Sequence, residues 1–174
     1  NLKELIVSLV EQHQLKAERR KTFRLHPEEV NLKELIVSLV EQHQLKADKP
    51  AQITLEIEPK TLTIVVDRTH FSNIISNLID NAVKYSKERA DITIRCRQTE
   101  QTVTISIADR GIGIPLDKQK HIFDKFYRVP TGNLHNAKGY GLGLFYVKSM
   151  VEKHGGTITE KSEPGKGSIF TITL

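Results

Sequence analysis

Between Phe71 and Ser86 the chain reads FSNIISNLIDNAVKYS, and the periodicity of that stretch restricts the fold more than any other feature. Phe71, Ile74, Ile75, Leu78, Ile79, Ala82 and Val83 fall at offsets of 0, 3, 4, 7, 8, 11 and 12, the spacing of a helix face laid on a core. Asn73, Asn77, Asn81 and Lys84 form a second stripe at steps of four, four and three, so three amides and an ammonium project from neighbouring turns. Asparagine prefers caps and turns to helix interiors, so three of them on one face need a reason. For the helix alone, a solvated face explains them as well as a binding surface does. The glycine punctuation downstream separates the two.

At 174 residues, 38% hydrophobic and 27% charged, the chain is expected to be an ordinary soluble domain with one core and room for an appendage. The net charge is +5 and the pI ≈ 9.3, but basic residues are interspersed with acids and the longest basic run is Arg19, Arg20, Lys21. That argues against a nucleic-acid partner, which favours a clustered basic face with interleaved aromatics, and for a site that handles phosphate. Cys96 is the sole cysteine, so there is no intrachain disulfide and a reducing, cytoplasmic setting is expected. There is no apolar run near 18 residues and no export signal, so this stretch is expected to hold no membrane segment. The opening on Asn1 suggests a fragment of a longer parent.

Taken in order, the chain begins with a repetition. Asn1–Ala17 and Asn31–Ala47 carry the same letters, NLKELIVSLVEQHQLKA. Natural solenoid repeats drift in sequence and need about three copies to bury a core, so an identical pair points to duplication by design or to one segment assigned twice. The second copy is read as native: Leu32, Leu35, Ile36, Leu39 and Val40 form its inward face, and Asp48-Lys49-Pro50 stops it. Residues 1–30 are expected to be an extra amphipathic helix and a linker, and residues 31–174 the functional domain. From Gln52, Ile53, Leu55 and Ile57 alternate with polar residues, and Pro59-Lys60 turns the chain before Leu62 to Val66. These read as two strands, after which Asp67 is placed to cap the organising helix. Asp91–Arg97 and Thr102–Ala108 read as a hairpin, with Cys96 in its buried period and so a packing residue.

The hairpin runs into Asp109-Arg110-Gly111-Ile112-Gly113-Ile114-Pro115. A carboxylate at a strand end followed by two glycines lets backbone approach a flat ligand while the acid accepts a hydrogen bond from an exocyclic amine. The pattern alone is more often a turn. Lys118 to Phe126 is expected to form a short helix, with Ile122, Phe123, Phe126 and Tyr127 as a core-facing cluster, and Arg128–Lys138 a mobile loop. Gly139, Gly141 and Gly143 then alternate ahead of a helical pattern from Phe145 to His154. Bare N–H groups and the positive end of a helix dipole there suit phosphate. The spacing fits neither the P-loop nor the dinucleotide fingerprint. Gly155-Gly156 closes that helix, and Thr157–Lys161 and Ser168–Leu174 read as a last strand pair.

NIISNLIDNAVKY, DRGIGIP, IFDKFYR and GYGLGLFYVKSMVEKHGG, followed by GKGSIF, together resemble the N, G1, F, G2 and G3 boxes of the catalytic, ATP-binding domain of bacterial sensor histidine kinases. That domain belongs to a superfamily shared with gyrase-type ATPases and heat-shock 90 chaperones. The resemblance covers 31–174 and implies an α/β fold, a two-layer α/β sandwich with a mixed sheet of about five strands, helices on one face and a flexible lid. It further implies ATP and Mg²⁺ as cofactors. By position, Asn81 is the implied metal ligand, Asn77 supports that site, Lys84 neutralises phosphate charge, and Tyr85 packs near adenine. Asp109 would bond the adenine amine with Gly111 and Gly113 giving clearance, Arg128 would reach the γ-phosphate, and Gly139, Gly141, Leu142 and Gly143 would wrap the phosphates. Asn77, Lys84 and Arg128 are thus the implied catalytic residues.

The ATP-hydrolysing relatives carry a glutamate at position 77, where this chain has an amide that cannot act as a base. The resemblance therefore implies transfer of the γ-phosphate to a histidine on a separate dimerisation domain, and then to a response regulator, in the cytoplasmic portion of a membrane-bound parent. None of the seven histidines, His13, His26, His43, His70, His121, His135 and His154, sits in the expected acceptor motif, so self-phosphorylation is not expected. Two alternatives share the fold: a serine kinase of anti-sigma type, and a nucleotide-sensing interaction module without transfer activity.

Overall fold

The computed structural model describes residues 23–130 and 140–174. The first copy of the repeated helix, most of the expected loop after Arg128, and Gly139 lie outside the described residues. Helix α1, Leu32–Lys46, is capped by Asn31, whose side chain accepts the Glu34 N–H at 3.1 Å. Its five inward residues, Leu32, Leu35, Ile36, Leu39 and Val40, are all buried. Helix α2, Arg68–Lys84, is the organising helix, and its Phe71, Ile74, Ile75, Leu78, Ile79 and Ala82 are buried. Each large side chain on that face contributes about 1.5–3 kcal/mol by leaving water.

The layer beneath is a five-stranded sheet in the order β2-β4-β5-β7-β6, with β2 Ala51–Glu58, β4 Ala90–Gln98, β5 Val103–Asp109, β6 Thr157–Glu163 and β7 Gly167–Thr173. The sheet is mixed, because β2 runs parallel to β4 while the other pairings are antiparallel. Ile92, Ile94, Cys96, Ile105, Ile107 and Ile172 give one face an unbroken apolar surface, against which α2 packs. Cys96 is buried in that face, and burial pushes its thiol up to about 12, a packing residue with no thiolate to offer. Helix α4, Gly143–Lys153, packs beside α2 and over β6. No described helix is long and apolar enough to cross a membrane.

Two expectations change. Pro27–Asn31, of which all but Asn31 is expected from the sequence to be linker, forms strand β1, antiparallel to β3, Thr63–Asp67. Val30 is buried in that small sheet opposite Ile64. The helix expected over Lys118–Phe126 is the single turn α3, Leu116–Gln119, followed by turns. Phe126 is 61% exposed, not core-facing, and takes a left-handed φ of 66°. The cause is its backbone: its N–H is donated to the Gly141 carbonyl at 3.0 Å, which turns the chain away from the core to meet the segment before α4.

Asp67 does more than cap. Its Oδ1 accepts the His70 N–H at 3.0 Å, its Oδ2 accepts the His26 N–H at 2.9 Å, and its own N–H is donated to His154 Nε2 at 3.1 Å. One residue thus joins the start of α2, the approach to β1 and the end of α4. The two backbone bonds hold its carboxyl below the ordinary carboxylate range.

Candidate functional site

A cavity of ≈ 540 Å³ opens between α2, the Arg110–Pro115 loop, the chain around Arg128 and the start of α4. That is the size of a small-molecule site. From α2 it receives Asn77, Asp80, Asn81, Lys84 and Tyr85. The Asn77 Nδ2 donates to the Asn73 carbonyl at 2.8 Å, so the amide's oxygen is the end left to face across the cavity. A methyl group on Gly143 would stand 2.8 Å from that oxygen, so a side chain there would push the Asn77 amide from its place. Asn73 itself is exposed, is not part of the lining, and bonds Tyr146 on α4. The amide stripe therefore enters the cavity at Asn77, where α4 crosses, and not one turn earlier. The Lys84 ammonium lies 5.2 Å from the centre of the Tyr85 ring.

The sheet side carries Asp109 and Ser168. Asp109 accepts the Gly111 N–H at 2.8 Å and a further N–H from Ser168. Burial nonetheless pushes its carboxyl above the ordinary range, because removal from water outweighs the two bonds. Ile112 donates its N–H to the Tyr85 carbonyl at 3.0 Å, which ties this loop to the end of α2. The approach is so close that a side chain on Gly111 would run into the Tyr85 carbonyl. Gly113 has φ 68°, and a side chain there would overlap the Glu163 carbonyl, so both positions accept only glycine.

The third side is Gly141, Leu142, Gly143 and Leu144. Gly141 has φ 70°, and Leu142 gives α4 no side-chain cap. The unsatisfied N–H groups and positive dipole end of an 11-residue helix therefore open on the cavity. Arg128 stands exposed on the lining, at the edge of the described chain. Of the site residues read from sequence, Asn77, Asn81, Lys84, Tyr85, Asp109, Gly113, Arg128, Gly141, Leu142 and Gly143 all line one cavity. Gly111 lies buried just behind it, and Gly139 lies outside the described residues.

Sequence reading missed Asp80 and Ser168. Asp80 sits three residues after Asn77 and four before Lys84, so the same helical spacing places it on the stripe. His43 of α1, only 14% exposed, pairs with it at 2.9 Å. Ser168 lies in the GKGSIF run, where the sequence reading gives it only a place in a strand; it joins the site because β5 and β7 pair it with Asp109.

Residues 66–174 match the family described as histidine kinase-, DNA gyrase B-, and HSP90-like ATPase. The chain is 47% identical over 125 residues to sensor protein RprX of Bacteroides fragilis (strain YCH46), a match covering 71% of this chain and 24% of RprX. It thus spans about a quarter of that curated relative. Among solved structures, the catalytic domain of histidine kinase ThkA superposes with a TM-score of 0.75 at 26% identity, covering 86% of this chain and 95% of that one. Full-length ShkA in complex with AMPPNP superposes with a TM-score of 0.76 at 25% identity, covering 87% of this chain and 31% of that one.

Proposed function

The chain belongs to the histidine kinase-, DNA gyrase B-, and HSP90-like ATPase family, and on that premise we propose that its cavity binds ATP with Mg²⁺ and donates the γ-phosphate to a histidine. The acceptor histidine would be carried by a separate helical dimerisation domain, for relay to a response-regulator aspartate. The observation that carries this reading is the meeting of two kinds of phosphate ligand at one place: the uncapped start of α4 lies against Asn77, on the wall that also holds Asn81 and Lys84. The complex of the similar ShkA with AMPPNP supports it.

The donor set suits the metal. Asn77 and Asn81 offer neutral, hard oxygens, and among the described residues no group of three or more His, Cys, Asp and Glu could hold an ion. A cation here would need phosphate oxygens to complete its shell, as Mg²⁺ does. When bound, the metal supplies neutralisation of phosphate charge. Asn81 would hold it with Asn77 beside, Lys84 and Arg128 would neutralise the remaining phosphate charge, and Gly141 to Gly143 would offer backbone N–H groups. At the other end Asp109 would accept the adenine amine, with Tyr85 against the base.

Asn77 has no basic group with which to activate water, and Asp80 on the same wall is engaged by His43. Those two facts favour transfer over hydrolysis. Among the described residues, His43, His70, His121 and His154 are each held by a neighbour, namely Asp80, Tyr146, Asp124 and the Asp67 N–H, and His26 is exposed just ahead of β1, in no helix and outside the expected acceptor motif. The acceptor would come from outside this domain.

Incubation with γ-labelled ATP, Mg²⁺ and a separately made histidine-bearing helical dimer should label that dimer through a bond labile in acid and stable in base. Nucleotide binding with no transfer would leave only an interaction module. Asn81→Ala should lower Mg²⁺-dependent binding of an ATP analogue roughly ten- to a hundredfold while leaving metal-free binding in place. An unchanged metal dependence, read by titration, removes Asn81 from the metal.

A further inference from the structure

Ser162, near the end of β6, is absent from the cavity lining yet touches two segments that shape it, the Arg110–Pro115 loop and β7. Its Oγ accepts the Ile114 N–H at 2.7 Å, donates to the Gly167 carbonyl at 2.9 Å, and lies 2.8 Å from the Ser168 Oγ. A serine hydroxyl has one proton and two lone pairs. The Gly167 carbonyl can only accept, so it takes the proton. The Ile114 N–H can only donate, so it fills one lone pair. The bond between the two serines then has a single possible sense, in which Ser168 gives its proton to the remaining lone pair of Ser162.

Ser168 is buried, 7% exposed, and lines the cavity. With its proton committed behind it, it presents only lone pairs forward. Directly across the β5–β7 pairing stands Asp109, and opposed residues of an antiparallel pair share a face. An ionised Asp109 is also an acceptor only. The arrangement is held from a second side by Gln119, whose Nε2 donates to the carbonyls of Ile114 and Ser162, each at 2.9 Å.

We infer that Ser162 is a positioning residue that makes the base-recognising end of the cavity acceptor-only, so that it selects a purine bearing an amine at its 6-position and rejects a 6-oxo purine. This rests on the reading that the cavity binds a purine nucleotide. An exocyclic amine has two N–H groups and meets two acceptors. A 6-oxo group is itself an acceptor and finds no donor. Were the Ser168 proton released, the hydroxyl could rotate and donate to the oxo group, and discrimination would fall to Asp109 alone.

The test is competition of ATP and inosine triphosphate against a fluorescent ATP analogue on the whole chain. The unaltered protein should prefer ATP. In Ser162→Ala the Ser168 proton is freed, inosine triphosphate should gain, and the preference should shrink roughly three- to tenfold. Ser162→Thr keeps the hydroxyl and should keep the preference. An unchanged preference in a folded Ser162→Ala protein overturns the inference. If Ser162→Ala does not fold, Ser168→Ala decides. It should weaken ATP severalfold and leave inosine triphosphate as it was, whereas an equal or larger loss for inosine triphosphate means that Ser168 donates and the inference is wrong. A wild-type chain that binds neither nucleotide removes the nucleotide reading, and this one with it; a wild-type chain that prefers ATP keeps the first while the variants judge the second.

Discussion

The two walls of the cavity are built on opposite principles. The α2 wall is a regular helix, capped at its start by Asp67 and pinned by six buried residues on its far side. It presents side chains: an amide oxygen, a second amide, a carboxylate and an ammonium. The facing wall is irregular chain in which Gly113, Phe126 and Gly141 all hold left-handed backbone, at φ 68°, 66° and 70°. It presents N–H groups and open space. Substitution should therefore act differently on the two. On α2 the residues that stabilise and the residues proposed to bind lie on separate faces, so the two effects should come apart. On the loop wall shape is the binding feature, so a side chain costs stability and binding together.

The largest expected effect tests the buried face of α2. Leu78 is 1% exposed, and Leu78→Ala should lower unfolding stability by about 2–5 kcal/mol through lost burial and a residual cavity. The folded fraction should still bind nucleotide with little change, because Leu78 points away from the site. A chemical denaturation series with binding measured below the transition checks both halves. If affinity falls in step with stability, the faces are not separable. Next in size is Gly113→Ala, expected to cost about 1–3 kcal/mol in backbone strain and to abolish nucleotide binding, since the new methyl meets the Glu163 carbonyl. A Gly113→Ala protein of unaltered affinity would show that the loop wall is less constrained than its backbone implies.

The same contrast explains what was legible in the sequence. The α2 wall could be read because a helix repeats: the spacing that marks Phe71, Ile74, Ile75 and Leu78 as buried also aligns Asn77, Asn81 and Lys84. Asp80 is legible by that rule, three residues after Asn77 and four before Lys84, but an acid on a helix is by itself no sign of a site. The glycine positions were legible as glycines, but which carbonyl each avoids depends on long-range approach, as with Gly113 and Glu163. Strand β1 was not legible, since PEEVN has one residue buried, Val30; it is a strand because β3 pairs with it. Phe126 was misread for a related reason. An aromatic among apolar neighbours suggests core, and only its bond to Gly141 shows otherwise. Ser162 and Ser168 are joined by a tertiary network that periodicity does not announce.

The smallest effect on stability, and the sharpest separation of stability from function, is expected at Asp109. Burial raises its carboxyl above the ordinary range despite the N–H bonds from Gly111 and Ser168. A raised carboxyl favours the folded state at low pH, where both states hold the proton. That contribution is lost as pH rises from the unfolded-state value through the folded one, because the unfolded chain releases its proton first. At neutral pH the ionised Asp109 is therefore a net cost to the ligand-free domain, a cost that the proposed bond to the base would offset. Asp109→Asn removes the charge but keeps an oxygen for Gly111. The ligand-free variant should be at least as stable as wild type at neutral pH, with the difference vanishing in acid, while ATP affinity falls roughly ten- to a hundredfold. Thermal melts across pH beside nucleotide titrations read both quantities. A variant that is less stable at neutral pH would mean that the two N–H bonds outweigh burial, and that Asp109 holds its loop in place before it holds any ligand.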